Sequence, residues 1–104
     1  MRGRTPTRAE RRHMDLVRGL GCIACRQQTG QRTPRERTAI HHCDGKTKEG
    51  CHYKTLPLCF AHHQGGAPEG QFVSRHPWKA RFETEYGTER ELLEQTRLEL
   101  EYPF

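Results

Sequence analysis

The sequence has no long apolar run and little apolar material of any kind: hydrophobic residues make up 32% of its 104 positions. Nothing approaches the roughly 18 consecutive apolar residues of a membrane span, and no apolar signal-peptide core opens the chain. Membrane and secreted classes are thereby excluded, and a cytoplasmic location is expected. The chain also lacks the length for two separate cores, which predicts residues 1–6 as a flexible basic arm and 7–104 as a single domain. The same low apolar content excludes a large-core enzyme as well. Ordering a backbone costs about 1–2 kcal/mol per residue, and a core this thin is expected to need a metal or disulfide staple.

What the sequence does have is basic charge, cysteine and histidine. The formal net charge is +5, with 5 Cys and 7 His. The charge is uneven: residues 1–54 hold 13 Lys and Arg against 5 Asp and Glu, whereas residues 55–104 hold 5 against 8. A basic half opposite an acidic half points to a polyanion on one side, with nucleic acid the natural candidate. The alternative is a solvated basic surface without a partner.

Local patterns give a coarse element map. Thr7-x-x-Glu10 is a capping box, and Ala9, His13, Leu16, Val17 and Leu20 follow at helical spacing, which predicts a helix over about 8–19 with Arg8, Arg11, Arg12 and Arg18 outward. Residues 26–37 are polar and basic and predict a loop bearing Arg35 and Arg37. Thr38–Ile40 predicts a short strand leading into His41-His42, and 44–50 a turn bearing Lys46 and Lys48. Tyr53–Leu58 predicts a second strand, placed at an edge or end by Pro57, before a helix running from Cys59 through His62 and His63. Trp78, Phe82 and Tyr86 recur every fourth residue as core, and Thr88-x-x-Glu91 caps a last helix to about 101 with Leu92, Leu93, Thr96 and Leu100 inward.

Two short motifs carry metal chemistry. Cys22-x-x-Cys25 and Cys59-x-x-His62 each allow two side chains to reach one ion, and together they make a tetrahedral Zn2+ site. An odd number of cysteines argues against disulfides, and no βαβ pattern surrounds the C-x-x-C as a redox motif requires. Cys51 is an alternative for Cys59 or His62, and Cys43 reads as a small apolar residue near the second cluster. That cluster contains His41, His42 and His63, with His52 and His76 as further members. Neighbouring side chains of a strand face opposite ways, so one of His41 and His42 can ligate metal while the other takes a proton. A divalent ion, Mg2+ or Mn2+, with a neutral imidazole is what phosphodiester hydrolysis needs.

These residues resemble the HNH (ββα-metal) nuclease family. Ile40-His41-His42-Cys43-Asp44-Gly45 is similar to its first strand element, and Leu56 to His63 to its strand-to-helix element. The match is closer to the phage-encoded RecA-dependent nuclease Ref and its relatives. Cys22/Cys25, Ile40 to Gly45, Pro57 to Gly65, His76 and Phe82 to Gly87 follow that group's order over roughly 20–95. The resemblance implies an α+β fold: a zinc-stabilised ββα core, made of a β-hairpin plus a helix, flanked by an N-terminal helix and C-terminal helices. It implies His42 as general base, His41 and His63 as ligands of the catalytic ion, and Cys22, Cys25, Cys59 and His62 as zinc ligands. His76 either completes the catalytic site or packs at a helix start. The family's central Asn falls near Lys54, which cannot accept a hydrogen bond; a backbone carbonyl or another residue, His52 among them, must then orient His42. The implied activity is a DNA endonuclease working with a RecA filament in phage recombination, in the bacterial cytoplasm. No apolar stripe demands a dimer, which favours a monomer. The alternative function is a non-catalytic, zinc-stapled nucleic-acid-binding module, and a redox protein comes third.

Overall fold

The computed structural model describes residues 3–43 and 45–101. Asp44, within the first strand element of the resemblance, lies outside the described residues.

Helix α1 spans Arg8–Gly19 and is opened by the Thr7/Glu10 capping box, with both reciprocal hydrogen bonds formed at 3.1 and 2.8 Å. Its inward contact is narrower than the periodicity predicts. Val17 is fully buried, but Ala9 is exposed and Leu16 is 56% exposed. The remaining inward positions, His13 and Leu20, are only partly covered.

A second helix, α2 (Ile23–Thr29), occupies the start of the stretch expected to be loop. Its N-terminus is capped by Cys22, whose Sγ accepts from the Cys25 amide at 3.4 Å, and its C-terminus is closed by Gly30 at φ 74°. The C-x-x-C is therefore itself the first helical turn, and the polar residues after it ride on that turn. The turn fails to announce itself because Arg26, Gln27 and Gln28 carry no apolar period.

Strand β1 (Thr38–His42) pairs antiparallel with β2 (Thr55–Cys59), with Ile40 opposite Pro57 and His42 opposite Thr55. β1 thus runs through both histidines, and β2 begins after Tyr53, which sits in a short turn of 3-10 helix over Cys51–Tyr53. Proline is tolerated because each strand of a two-stranded sheet is an edge. The chain then enters α3 (Phe60–His63), with Cys59 in extended conformation at the residue before it.

Helices α4 (Lys79–Tyr86) and α5 (Glu89–Glu101) close the fold. The second capping box is formed, with Thr88 and Glu91 exchanging hydrogen bonds at 2.9 and 3.1 Å. Ile23, Leu56, Leu58, Val73, Phe82, Tyr86 and Leu92 make one buried cluster with Cys22 and Ala24. Trp78 does not belong to it. It precedes the first turn of α4, with non-helical backbone, and stays 37% exposed. The result is a small α+β protein: a two-stranded hairpin with helices packed around it. No helix among the described residues is long and apolar enough to cross a membrane.

Candidate active site and metal centres

The first cluster sits where α2, β2 and α3 meet. Cys22 and Cys25 come from the cap and first turn of α2, Cys59 from the end of β2, and His62 from α3. Their ligand atoms all lie within 4.8 Å of one another. His62 Nδ1 stands 3.5 Å from both Cys22 Sγ and Cys25 Sγ and 3.2 Å from Cys59 Sγ, and the sulfurs of Cys25 and Cys59 are 3.7 Å apart. A tetrahedral ion with bonds of about 2.3 Å to sulfur and 2.0–2.1 Å to nitrogen has edges of about 3.8 Å between sulfurs and about 3.6 Å between sulfur and nitrogen. The four side chains fit one such ion.

The surroundings of His62 select the tautomer that this requires. Its Nε2 lies 3.1 Å from the Tyr86 hydroxyl, which itself donates to the Gln71 carbonyl at 3.1 Å. The hydroxyl proton is thus used, so His62 Nε2 must donate, leaving Nδ1 as the lone pair facing the sulfurs. Its hydrogen bond with Cys22, and then His62, hold the Cys59 thiol low; the same bond and burial push Cys22 up. Cys51 is buried in the turn before β2 and is not among these ligands.

The second cluster gathers His41 from β1, His63 from the last turn of α3, and His76 from the segment before α4. Main-chain bonds bring that segment in: the Arg75 amide donates to the His62 carbonyl at 2.8 Å and the His76 amide to the His63 carbonyl at 2.9 Å. The three rings meet pairwise edge to face, with each pair of centroids 5.2 Å apart. His41 Nδ1 is 3.3 Å from His63 Nε2. On its other side, His41 Nε2 is 2.7 Å from Glu89 Oε2, and the same oxygen accepts from Arg75 Nε. Burial pushes the Glu89 carboxyl up, but the hydrogen bonds from His41 and Arg75 outweigh it and hold it at about 2. An ionised Glu89 fixes the proton on His41 Nε2, so Nδ1 presents its lone pair toward His63. Burial first, then the charges of His41, His76 and Arg75, lowers His63 to about 4. The imidazole is thus neutral and ligand-ready at neutral pH. Cys43, packed against the core beside His41 and Glu89, can form a further three-residue group with them.

His42 points the other way from the same strand, as the alternation requires. Its Nε2 is 3.0 Å from His52 Nδ1, while its Nδ1 is buried with no hydrogen-bond partner among the described residues. Burial, followed by the charges of His52, Lys46 and His41, lowers His42 to about 4. A neutral imidazole with one nitrogen anchored and the other unengaged is the arrangement that a proton acceptor needs.

A family model described as recombination enhancement, RecA-dependent nuclease, matches residues 6–100. The chain belongs to this family. Membership makes it a nuclease involved in recombination. In this RecA-dependent nuclease, an open groove of about 480 Å³ runs between α1 and β1, lined by Arg11, Arg18 and Lys46 together with His42, Asp15, Met14, Ala39 and Ile40. Arg35 borders an adjoining depression with Arg18 and is also paired with Asp15 at 3.2 Å. Arg8, Arg12, Arg37 and Lys48 are exposed but line neither surface. Three of the basic residues singled out in the sequence thus share a groove with His42.

Sequence reasoning missed Glu89, Arg75 and the polar role of Tyr86. Glu89 is 48 positions from His41, so no local spacing pairs them, and its place beside a capping box explains an acid there without any reference to His41. Tyr86 fits an apolar stripe, and only the site shows that its hydroxyl serves His62.

Proposed function

We propose that this RecA-dependent nuclease cleaves DNA by HNH-type, one-metal hydrolysis. In this reading β1, β2 and α3 are the ββα-metal unit of a single nuclease domain. Cys22, Cys25, Cys59 and His62 hold a structural Zn2+, and His41, His63 and His76 hold a catalytic Mg2+ or Mn2+. A divalent ion at that place supplies charge stabilisation at the scissile phosphate and the leaving oxygen.

The observation that carries the reading is the split of roles at the end of β1. His41 is turned inward onto Glu89 and His63, while His42, one residue on, keeps a buried Nδ1 with no hydrogen-bond partner among the described residues. His42 Nδ1 takes the proton of the attacking water. Arg75 and Glu89 hold the His41 ring and its tautomer. Arg11, Arg18 and Lys46 neutralise backbone phosphates along the groove, and the exposed Arg8, Arg12, Arg35, Arg37 and Lys48 widen the basic field around it. The family's RecA dependence supports a RecA–DNA filament as the partner, met in the bacterial cytoplasm in this reading.

The test is cleavage of single-stranded, duplex and RecA-paired DNA with Mg2+ or Mn2+. His42→Ala should lower the rate by about 10²–10⁴-fold, the span of general-base catalysis, while leaving zinc content and the thermal transition unchanged. Intact DNA of every form in the presence of wild-type protein, or full activity in His42→Ala, would overturn the proposal.

A further inference from the structure

The groups behind His42 form an ordered chain. His52 is buried, at 4% exposure, in the turn before β2. Its Nε2 lies 2.7 Å from the main-chain carbonyl oxygen of Arg4, and its Nδ1 lies 3.0 Å from His42 Nε2. The two rings cross at 81° with centroids 5.1 Å apart. A carbonyl can only accept, so the proton on His52 must sit on Nε2. Nδ1 of a neutral His52 is then a lone pair, and it can be satisfied only if His42 Nε2 is the donor. His42 is left with its own lone pair on Nδ1, the atom without a hydrogen-bond partner among the described residues. One main-chain oxygen thus settles, through two rings, which nitrogen of His42 is basic and where it points.

That oxygen is held in place from the other side. The Arg4 amide donates to the Lys46 carbonyl at 2.6 Å, joining residues 3–4 to the loop between the strands. Gly3 makes the approach possible: a Cβ there would lie 2.6 Å from Lys46 Cβ and 3.0 Å from the Lys46 carbonyl oxygen. Neither atom is the end of a flexible side chain, so any larger residue at position 3 must displace the segment.

We propose that His52 is the positioning residue for His42, and that the Arg4 carbonyl, docked on Lys46 through Gly3, is its anchor. His52 thereby supplies the orientation that Lys54, which falls near the position of the family's central Asn, cannot provide. The proposal rests on the reading of His42 as the base.

The experiment uses the full chain with its metals, and the variants His52→Ala, His52→Asn and Gly3→Val. His52→Ala should lower kcat by roughly 10–100-fold, the usual cost of losing an outer partner at a catalytic site, with KM unchanged. His52→Asn should recover most of the loss, because the Asn side-chain oxygen can accept from His42 Nε2. Gly3→Val should reproduce the kcat defect, and the double variant Gly3→Val/His52→Ala should be no worse than His52→Ala alone, since both break one chain. A second readout needs no substrate: hydrogen-bonded ring N–H resonances of His42 and His52, seen by NMR in the wild type, should both vanish in Gly3→Val. If His42→Ala cuts as fast as wild type, the base assignment falls while those resonances stand. If His42→Ala is inactive but His52→Ala keeps both the wild-type kcat and the His42 resonance, the positioning role falls. Should His52→Ala not fold, Gly3→Val decides by the same two readouts.

Discussion

His42 and Glu89 show how single residues are tuned by what surrounds them. An isolated imidazole titrates near 6.5, but burial, His52, Lys46 and His41 all disfavour a charged His42 and lower it to about 4. A general base must be neutral to work, so lowering its pKa extends activity toward acid. The acid limb of kcat/KM, measured from pH 8 to pH 4 at saturating metal, should therefore lie well below 6.5 and approach 4. A midpoint at 6.5 or above would show that His42 is not the titrating base. Glu89 acts one step further from the chemistry. With Glu89→Ala, His41 loses the acceptor that keeps its proton on Nε2, and Arg75 loses its partner. Affinity for the second divalent ion should fall by about 10–100-fold, read by calorimetric titration of Mn2+, while the Cys/His site keeps its ion.

At the scale of elements, α4 does more than complete the core. Tyr86 closes its last turn, and the hydroxyl joins His62, Gln28 and Gln71 in one small network. Tyr86→Phe keeps the ring and the core volume but removes the acceptor for His62 Nε2. The Cys22/Cys25/Cys59/His62 site should then lose ion affinity by about 10–100-fold, measured by chelator competition, with little change in the apolar packing of Phe82 and Leu92. This network also shows where sequence reasoning stops. The two capping boxes state their own helix starts, because the partners lie three residues apart, and α1 and α5 begin where Thr7 and Thr88 place them. The histidines at the end of β1 were legible for a similar reason, since alternation separates them without tertiary knowledge. Helix α2 was not, because its first turn is set by a sulfur cap and its residues lack an apolar face. Leu16 and Trp78 carry helical spacing, yet the core is too small to cover every position of either stripe. The contacts of Glu89 with His41 and of His52 with Arg4 each span 48 positions, and only the folded chain brings them together.

The whole molecule divides its work between two faces of one hairpin. The Cys/His set brings α2 to the junction of β2 and α3, where an ion held by it would cross-link a chain of low apolar content, and the His41/His63/His76 set uses the next residue of the same short helix. Such economy leaves the α1 side of β1 free to be an open, basic groove rather than a closed pocket, as a long polyanion requires. The balance of charge within that groove is testable without cleavage. Each phosphate neutralised contributes about 0.9 to the slope of log affinity against log salt for duplex DNA, and about 0.7 for a single strand. Arg11 lines the groove with His42, whereas Arg12, the next residue on α1, does not. In an inactive His42→Ala background, Arg11→Ala should reduce the salt slope by about one contact and weaken every DNA sequence alike. Arg12→Ala, an equal loss of charge one residue away, should lower affinity less and leave the slope nearly unchanged. Equal slopes for the two variants would mean that affinity comes from the net charge of α1 rather than from a strand seated in the groove, and the path of the DNA past His42 would have to be redrawn.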